Sequence, residues 1–225
     1  MREKFSEKYS QIARLWSIEE DLVLSIISRY EKLYLQVVED LGANRIQLPP
    51  HFKDRRTDAE YVYDIMDGWL MEDIICHAWL RPRLLKRNPN MDIKVMGSDS
   101  DRVIQKYDAR SITTLPDLIY SVDGIEKRIE LQMARRIISS GYDMKEGKVK
   151  RAIQEDNIFL WILIPTNQYF IIDSRKELTN LSPIPNPLWG GKMVYHIDYD
   201  FIAKNGGLCL MNEPFSDEYI LKLGV

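Results

Sequence analysis

Three polar residues near the ends of one short stretch, Asp117, Glu130 and Gln132, have the types and spacing to act together on a substrate. Carboxylates held side by side repel each other, and proteins place them so when a cation or a proton sits between them. The pair therefore points to a divalent metal ion held by oxygen. The element that must position it reads as a β-hairpin: Pro116-Asp117 opens the apolar run Leu118 to Val122, Asp123-Gly124 makes a two-residue turn, and Ile125 to Met133 returns with alternating character. Pairing across that turn brings Asp117 level with roughly Glu130 and puts Gln132 one side-chain step further along the same face.

Pro116-Asp117, the residues 118 to 129 and then Glu130-Leu131-Gln132 form a pattern that resembles the signature of the PD-(D/E)xK nuclease superfamily. The resemblance covers the hairpin and the helix after it, at most a third of the chain. It departs at the last position, where the superfamily usually has Lys and this chain has Gln132. Some type II restriction endonucleases of the superfamily are similar in carrying Glu-x-Gln there. The resemblance implies Mg2+ bound by Asp117, Glu130 and the main-chain carbonyl of Leu131, with Gln132 orienting the attacking water. It further implies a type II restriction endonuclease that hydrolyses phosphodiester bonds of double-stranded DNA at specific sites and works as a homodimer on palindromes. In many nucleases of this fold a helix ahead of the hairpin adds an acid, and Glu72 is the candidate for that catalytic role, with Glu60 as runner-up.

Glu72 is also singled out by its own helix, expected from Ala59 to Leu80 behind a cap at Thr57 or Asp58. It falls inside the apolar stripe of Val62, Ile65, Trp69, Cys76 and Trp79, where an unpaired carboxylate is costly. The bland alternative is a salt-bridged acid at the stripe's edge. Before this helix, the first forty residues read as helical with a break near Ser17, taken as an N-cap, and an end at Leu41-Gly42, where Gly takes a left-handed cap. Ala43 to Arg56, with its Pro pair and basic knot, reads as an exposed loop.

Cations that could meet DNA phosphates are clustered. Arg81, Arg83, Lys86 and Arg87 fall in a segment without an acid that Pro82 should kink out of the helix. Arg102 sits in the turn Gly97 to Arg102, whose Asp-x-Asp spacing lacks the later Gly and Glu of a calcium loop. Arg135 and Arg136 follow Gln132 directly, and Lys148 lies on a basic helix expected from Asp143 to Glu155. Beyond it, Ile158 to Ile164 reads as a buried central strand and Gln168 to Asp173 as the next strand. Ser182 to Gly191 reads as a loop, Lys192 to Ile197 as an edge strand, and Leu208 to Met211 as a last short strand.

The chain is expected to be α/β, a mixed central β-sheet flanked by helices in a restriction-endonuclease-like core, with an N-terminal helical part. One domain spans residues 1–225, mainly helical over 1–90 and β-rich over 91–225. The 225 residues allow a full core, and the net charge of −3 argues against a protein that coats nucleic acid without selectivity. No apolar run approaches membrane-spanning length and no signal peptide is apparent, so a cytoplasmic protein without membrane attachment is expected. Two cysteines and three histidines make zinc or cysteine chemistry poor fits. The residues alone leave open a non-catalytic nucleic-acid-binding protein, or a repair or resolvase nuclease of the same fold.

Overall fold

The computed structural model describes residues 2–46, 57–96, 116–122 and 124–225. Expectations for Pro49-Pro50 and the basic knot, for the Gly97 to Arg102 turn with Arg102, for the connection from Tyr107 to Thr114 and for Asp123 fall outside the described residues. The chain divides into two compact units, Met1–Arg83 with Val95–Leu115, and Leu84–Lys94 with Pro116–Val225.

The first unit is helical. α1 (Arg2–Trp16) and α2 (Glu20–Gly42) bury Phe5, Tyr9, Trp16, Val23, Ile27 and Tyr30. Ser17 does not cap α2: it lies in the left-handed region at φ 53°, closing α1 through its amide on Arg14, while Glu19 takes the N-cap position without a side-chain bond. The end of α2 likewise differs from expectation, because Asn44 at φ 54°, not Gly42, is the left-handed residue. α3 (Asp58–Asp73) begins as expected, with Thr57 and Glu60 forming a reciprocal capping box. Its continuation Ile74–Leu80 is a wider π-helical stretch, in which the Arg81 amide reaches back to the Cys76 carbonyl. That widening accounts for Pro82. The ring would press on the carbonyl four residues back in an ordinary helix, but here it enters the first turn of α4 (Arg81–Arg87), and the basic segment stays helical instead of kinking away.

The second unit is built on a six-stranded mixed sheet in the order β1-β2-β3-β5-β6-β9. Its strands are β1 (Asp92–Val95), β2 (Leu118–Val122), β3 (Ile125–Ala134), β5 (Ile158–Leu163), β6 (Gln168–Asp173) and β9 (Cys209–Leu210). β2 and β3 are the expected hairpin, with Val122 opposite Ile125 and Leu118 opposite Ile129. β5 is buried along its whole length and runs parallel to β3, Glu130 facing Phe159 and Gln132 facing Trp161. A continuous apolar run with strands on both sides is what a central strand requires. The parallel step from β3 to β5 is made through α5 (Glu146–Glu155). This is the mixed sheet with helices, and an N-terminal helical part, that the pattern of the chain predicts.

A second sheet, in the order β4-β8-β7, was not foreseen. Asp143–Lys145, expected as the start of a helix, belong to the strand β4 (Tyr142–Lys145), because Tyr142 and Met144 point into the core while Asp143 and Lys145 do not. β8 (Lys192–Ile197) is the middle strand and not an edge. Its other neighbour, β7 (Ile184–Asn186), lies inside the stretch expected to be loop. Two short helices, α6 (Tyr199–Lys204) and α7 (Asp217–Leu223), complete the chain, each capped by the side chain before it, Asp198 and Ser216. No helix among the described residues is long and apolar enough to cross a membrane.

Candidate active site

The hairpin register runs as far as Leu118 opposite Ile129, and Asp117 stands just beyond it, next to β3. Asp117 is fixed there: its Oδ2 accepts the Leu131 amide at 2.7 Å. Glu130 is nearly inaccessible to water, with 3% of its surface exposed. Burying a carboxylate that deeply demands compensation, and α5 supplies it. Lys148 Nζ stands 2.7 Å from Oε2 and Arg151 Nη2 3.8 Å from Oε1. Arg151 is the next turn along α5 from Lys148, so both cations come from one helix face. Further down the same strand pair, Arg128 bridges Glu126 at 2.8 Å and Glu155 at 3.7 Å.

Gln132 is half-buried two residues beyond Glu130, and its amide nitrogen donates to the Leu131 carbonyl at 2.5 Å. The main-chain oxygen implied as a metal ligand is thus in contact with the side chain implied to orient water. Among the described residues, no group of three or more His, Cys, Asp and Glu side chains gathers to hold a metal ion. The candidate donors, Asp117, Glu130 and the Leu131 carbonyl, are oxygens only. That set suits Mg2+, which commonly takes one or two carboxylates and completes its shell with water and substrate phosphate. The present partners of these oxygens are N–H groups and ammonium or guanidinium cations, which occupy the electrostatic place a hard cation would take.

The other sequence-derived positions are distributed as follows. Glu72 lies half-buried on α3 in the first unit, and Glu60 is engaged with Thr57 in the capping box. Arg83 packs over the Trp79 ring at 4.8 Å and donates to the Trp79 and Trp16 carbonyls at 3.2 and 3.4 Å, an inward role. Arg81, Lys86 and Arg87 are exposed on α4. Arg135 and Arg136 are exposed just past the end of β3, and Lys148 is ion-paired with Glu130 as described.

Arg151 was missed as a partner of Glu130, although its i+3 spacing from Lys148 was readable. A polar cluster in the second sheet was also missed. Asp143 Oδ1 is 2.7 Å from His196 Nδ1, His196 Nε2 is 2.6 Å from the Ser140 carbonyl, and Asn186 donates to Asp143 Oδ2 at 2.6 Å. With an acceptor near each ring nitrogen, the pKa of His196 is raised, chiefly by the hydrogen bond to Asp143. Asn186 pairs with Lys192 and Asp143 with His196, yet the two side chains meet, so the β7–β8 hairpin curls back over this face. No family model matches the chain, and the comparison with curated proteins finds no matching relative.

Proposed function

We propose that the second unit is the catalytic part of a metal-dependent endonuclease of the PD-(D/E)xK type that cleaves double-stranded DNA at specific sites as a type II restriction enzyme does. The observation that carries the reading is Asp117 held at the hairpin end by the amide of Leu131, the residue after Glu130, with a lysine ammonium on Glu130. The superfamily usually draws that ammonium from the strand position held here by Gln132. In this chain Lys148 brings it from α5, so the functional group is present although the sequence position is not.

Asp117 and Glu130, with the Leu131 carbonyl, would hold Mg2+, which supplies a Lewis acid and lowers the pKa of a bound water. The chain's own residues have separable tasks. Lys148 and Arg151, on one face of α5, offset the charge of Glu130 and offer cationic N–H groups to a scissile phosphate. Gln132 does not titrate, so its role is to orient a water by hydrogen bonding, not to take its proton. Arg135 and Arg136, exposed directly after β3, are placed to meet flanking phosphates. A twofold homodimer would match a palindromic target.

One observation favours a second reading. Both oxygens of Glu130 already face cations, as they would in a structural ion pair of a non-catalytic nucleic-acid-binding protein. Plasmid digestion with and without Mg2+ separates the two. Discrete fragments that require Mg2+ are expected; intact plasmid with retarded mobility would establish the binder and reject the enzyme.

A further inference from the structure

Two rigidly held turns of the second unit carry exposed apolar side chains where solvent gives no reason for them. On the turn after β7, Leu188 is 92% exposed and Trp189 and Met193 stand partly free; on the turn after β3, Ile137 and Ile138 are exposed. Neither turn is loose. Asn186 Oδ1 accepts the Leu188 and Trp189 amides at 2.8 and 3.3 Å, and the Gly191 amide returns to the Asn186 carbonyl at 2.9 Å. The other turn is closed by the Gly141 amide on the Ile138 carbonyl at 3.1 Å. A single pair fastens both: Asp143 holds Asn186, and His196 holds the Ser140 carbonyl.

Charge and position together identify what these turns meet. Residues 133–141 and 182–194 contain Arg135, Arg136 and Lys192 and no acid. All three cations are exposed. The first turn leaves directly from β3, which carries Glu130 and Gln132, and β4, which anchors the second, runs into α5, which carries Lys148. Apolar tips on two stretches that carry exposed cations, with the nearby Asp143 already engaged by His196 and Asn186, match a duplex, whose phosphates take the cations and whose base steps accept an apolar wedge. We propose that the Ile137-Ile138 and Leu188-Trp189 turns insert into the base stack of DNA bound at this site, unstacking it next to the cleavage position. The proposal rests on the endonuclease reading and names the residues that would deform its substrate.

The test uses the full chain in EDTA, so that cleavage is suspended, with closed circular plasmid relaxed by a metal-independent type I topoisomerase. A wedge leaves the plasmid with a lowered linking number after protein is removed. Leu188→Ala and Ile137→Ala, at exposed positions where folding is not at stake, should lose most of that shift while retaining plasmid binding and Mg2+-dependent cutting. Binding without any change in linking number, or a change equal in wild type and variants, would overturn the wedge and leave the endonuclease standing; absence of plasmid binding would overturn both. A variant that unwinds normally but turns a dimer into a monomer in sedimentation, or no longer adheres to phosphatidylserine vesicles, would reassign the turns to a protein or a membrane partner.

Discussion

The two units bury carboxylates in different ways. In the helical unit, Asp67 accepts from Lys8 at 2.7 Å and from the Tyr9 hydroxyl at 2.6 Å, and Asp73 from Arg29 at 2.5 Å and the Tyr30 hydroxyl at 2.8 Å. Each of these two buried acids of α3 is met by a consecutive cation-tyrosine pair from an earlier helix, and both phenols are fully buried. In the sheet unit Glu130 meets two cations of one helix; they are partly exposed, as Lys8 and Arg29 are, and among the described residues no hydroxyl joins them. A fully buried hydroxyl has no solvent to turn to. A lysine or arginine whose tip already reaches solvent can turn outward when a metal ion or phosphate arrives. The first arrangement is a staple and the second an exchangeable setting for a charged ligand.

Substitutions should separate the two most strongly through activity. Glu130→Gln and Asp117→Asn are expected to lower Mg2+-dependent plasmid cleavage by about 10³-fold or more. The urea midpoint should move little, since Lys148 and Arg151 can rehydrate. Unaltered cutting by both variants would remove the distinction between site and staple. The reverse pattern is expected at Asp73→Ala: it removes the carboxylate to which Arg29 and the Tyr30 hydroxyl donate and costs about 2 kcal/mol of unfolding free energy, discounted for the exposure of Arg29. Cleavage at a temperature where the protein is folded should be unchanged. A loss of activity larger than the loss of folded protein would show that the helical acids also serve catalysis.

A finer cut tests where the ammonium comes from. Lys148→Met should reduce cleavage by about 10²-fold, as expected for loss of one cationic donor, and leave secondary structure intact by circular dichroism. Adding Gln132→Lys to that variant should recover part of the loss, because it returns the ammonium from the strand. If the double variant is no better than Lys148→Met alone, Lys148 acts in folding or in DNA contact and not as the missing lysine.

The hairpin and the central strands were legible because their signals are local and of period two: a two-residue turn fixes register, from Val122 opposite Ile125 to Leu118 opposite Ile129. The run at Ile158 to Leu163 was legible by its unbroken apolarity. What escaped was set by pairing between distant segments. Tyr142 to Lys145 is too short to announce itself as a strand beside a strong basic helix, and it is one only because β8 pairs with it. Ile184 to Asn186 sits among prolines, which argue against a ladder, and survives as an edge of three residues. The buried acids of α3 were missed for a related reason: attention fell on Glu72, inside the stripe, while Asp67 and Asp73 are buried by tyrosines more than forty residues away.

The smallest effect concerns pH, and it sharpens the contrast from the side of the second sheet. Glu130 is paired with a lysine and an arginine, whereas Asp143 is paired with His196, a side chain whose ordinary pKa lies near neutrality. The His196 pKa is raised from 6.5 by Asp143 first, opposed by partial burial, and aided by the Ser140 carbonyl and Asp198. A raised pKa in the folded state means that this contribution to stability is complete below about pH 6.5 and is lost as pH rises through the higher folded value. Thermal midpoints of the wild type should therefore fall on going from pH 6 to pH 8.5 by more than those of His196→Gln, which keeps a donor toward Asp143 but cannot titrate. The expected difference is only a few degrees, because the ring is partly exposed and the ion pair is screened. Equal slopes in the two proteins would mean that the imidazolium does not fasten the second sheet, and the two turns it joins would then be held by Asn186 and Gly141 alone.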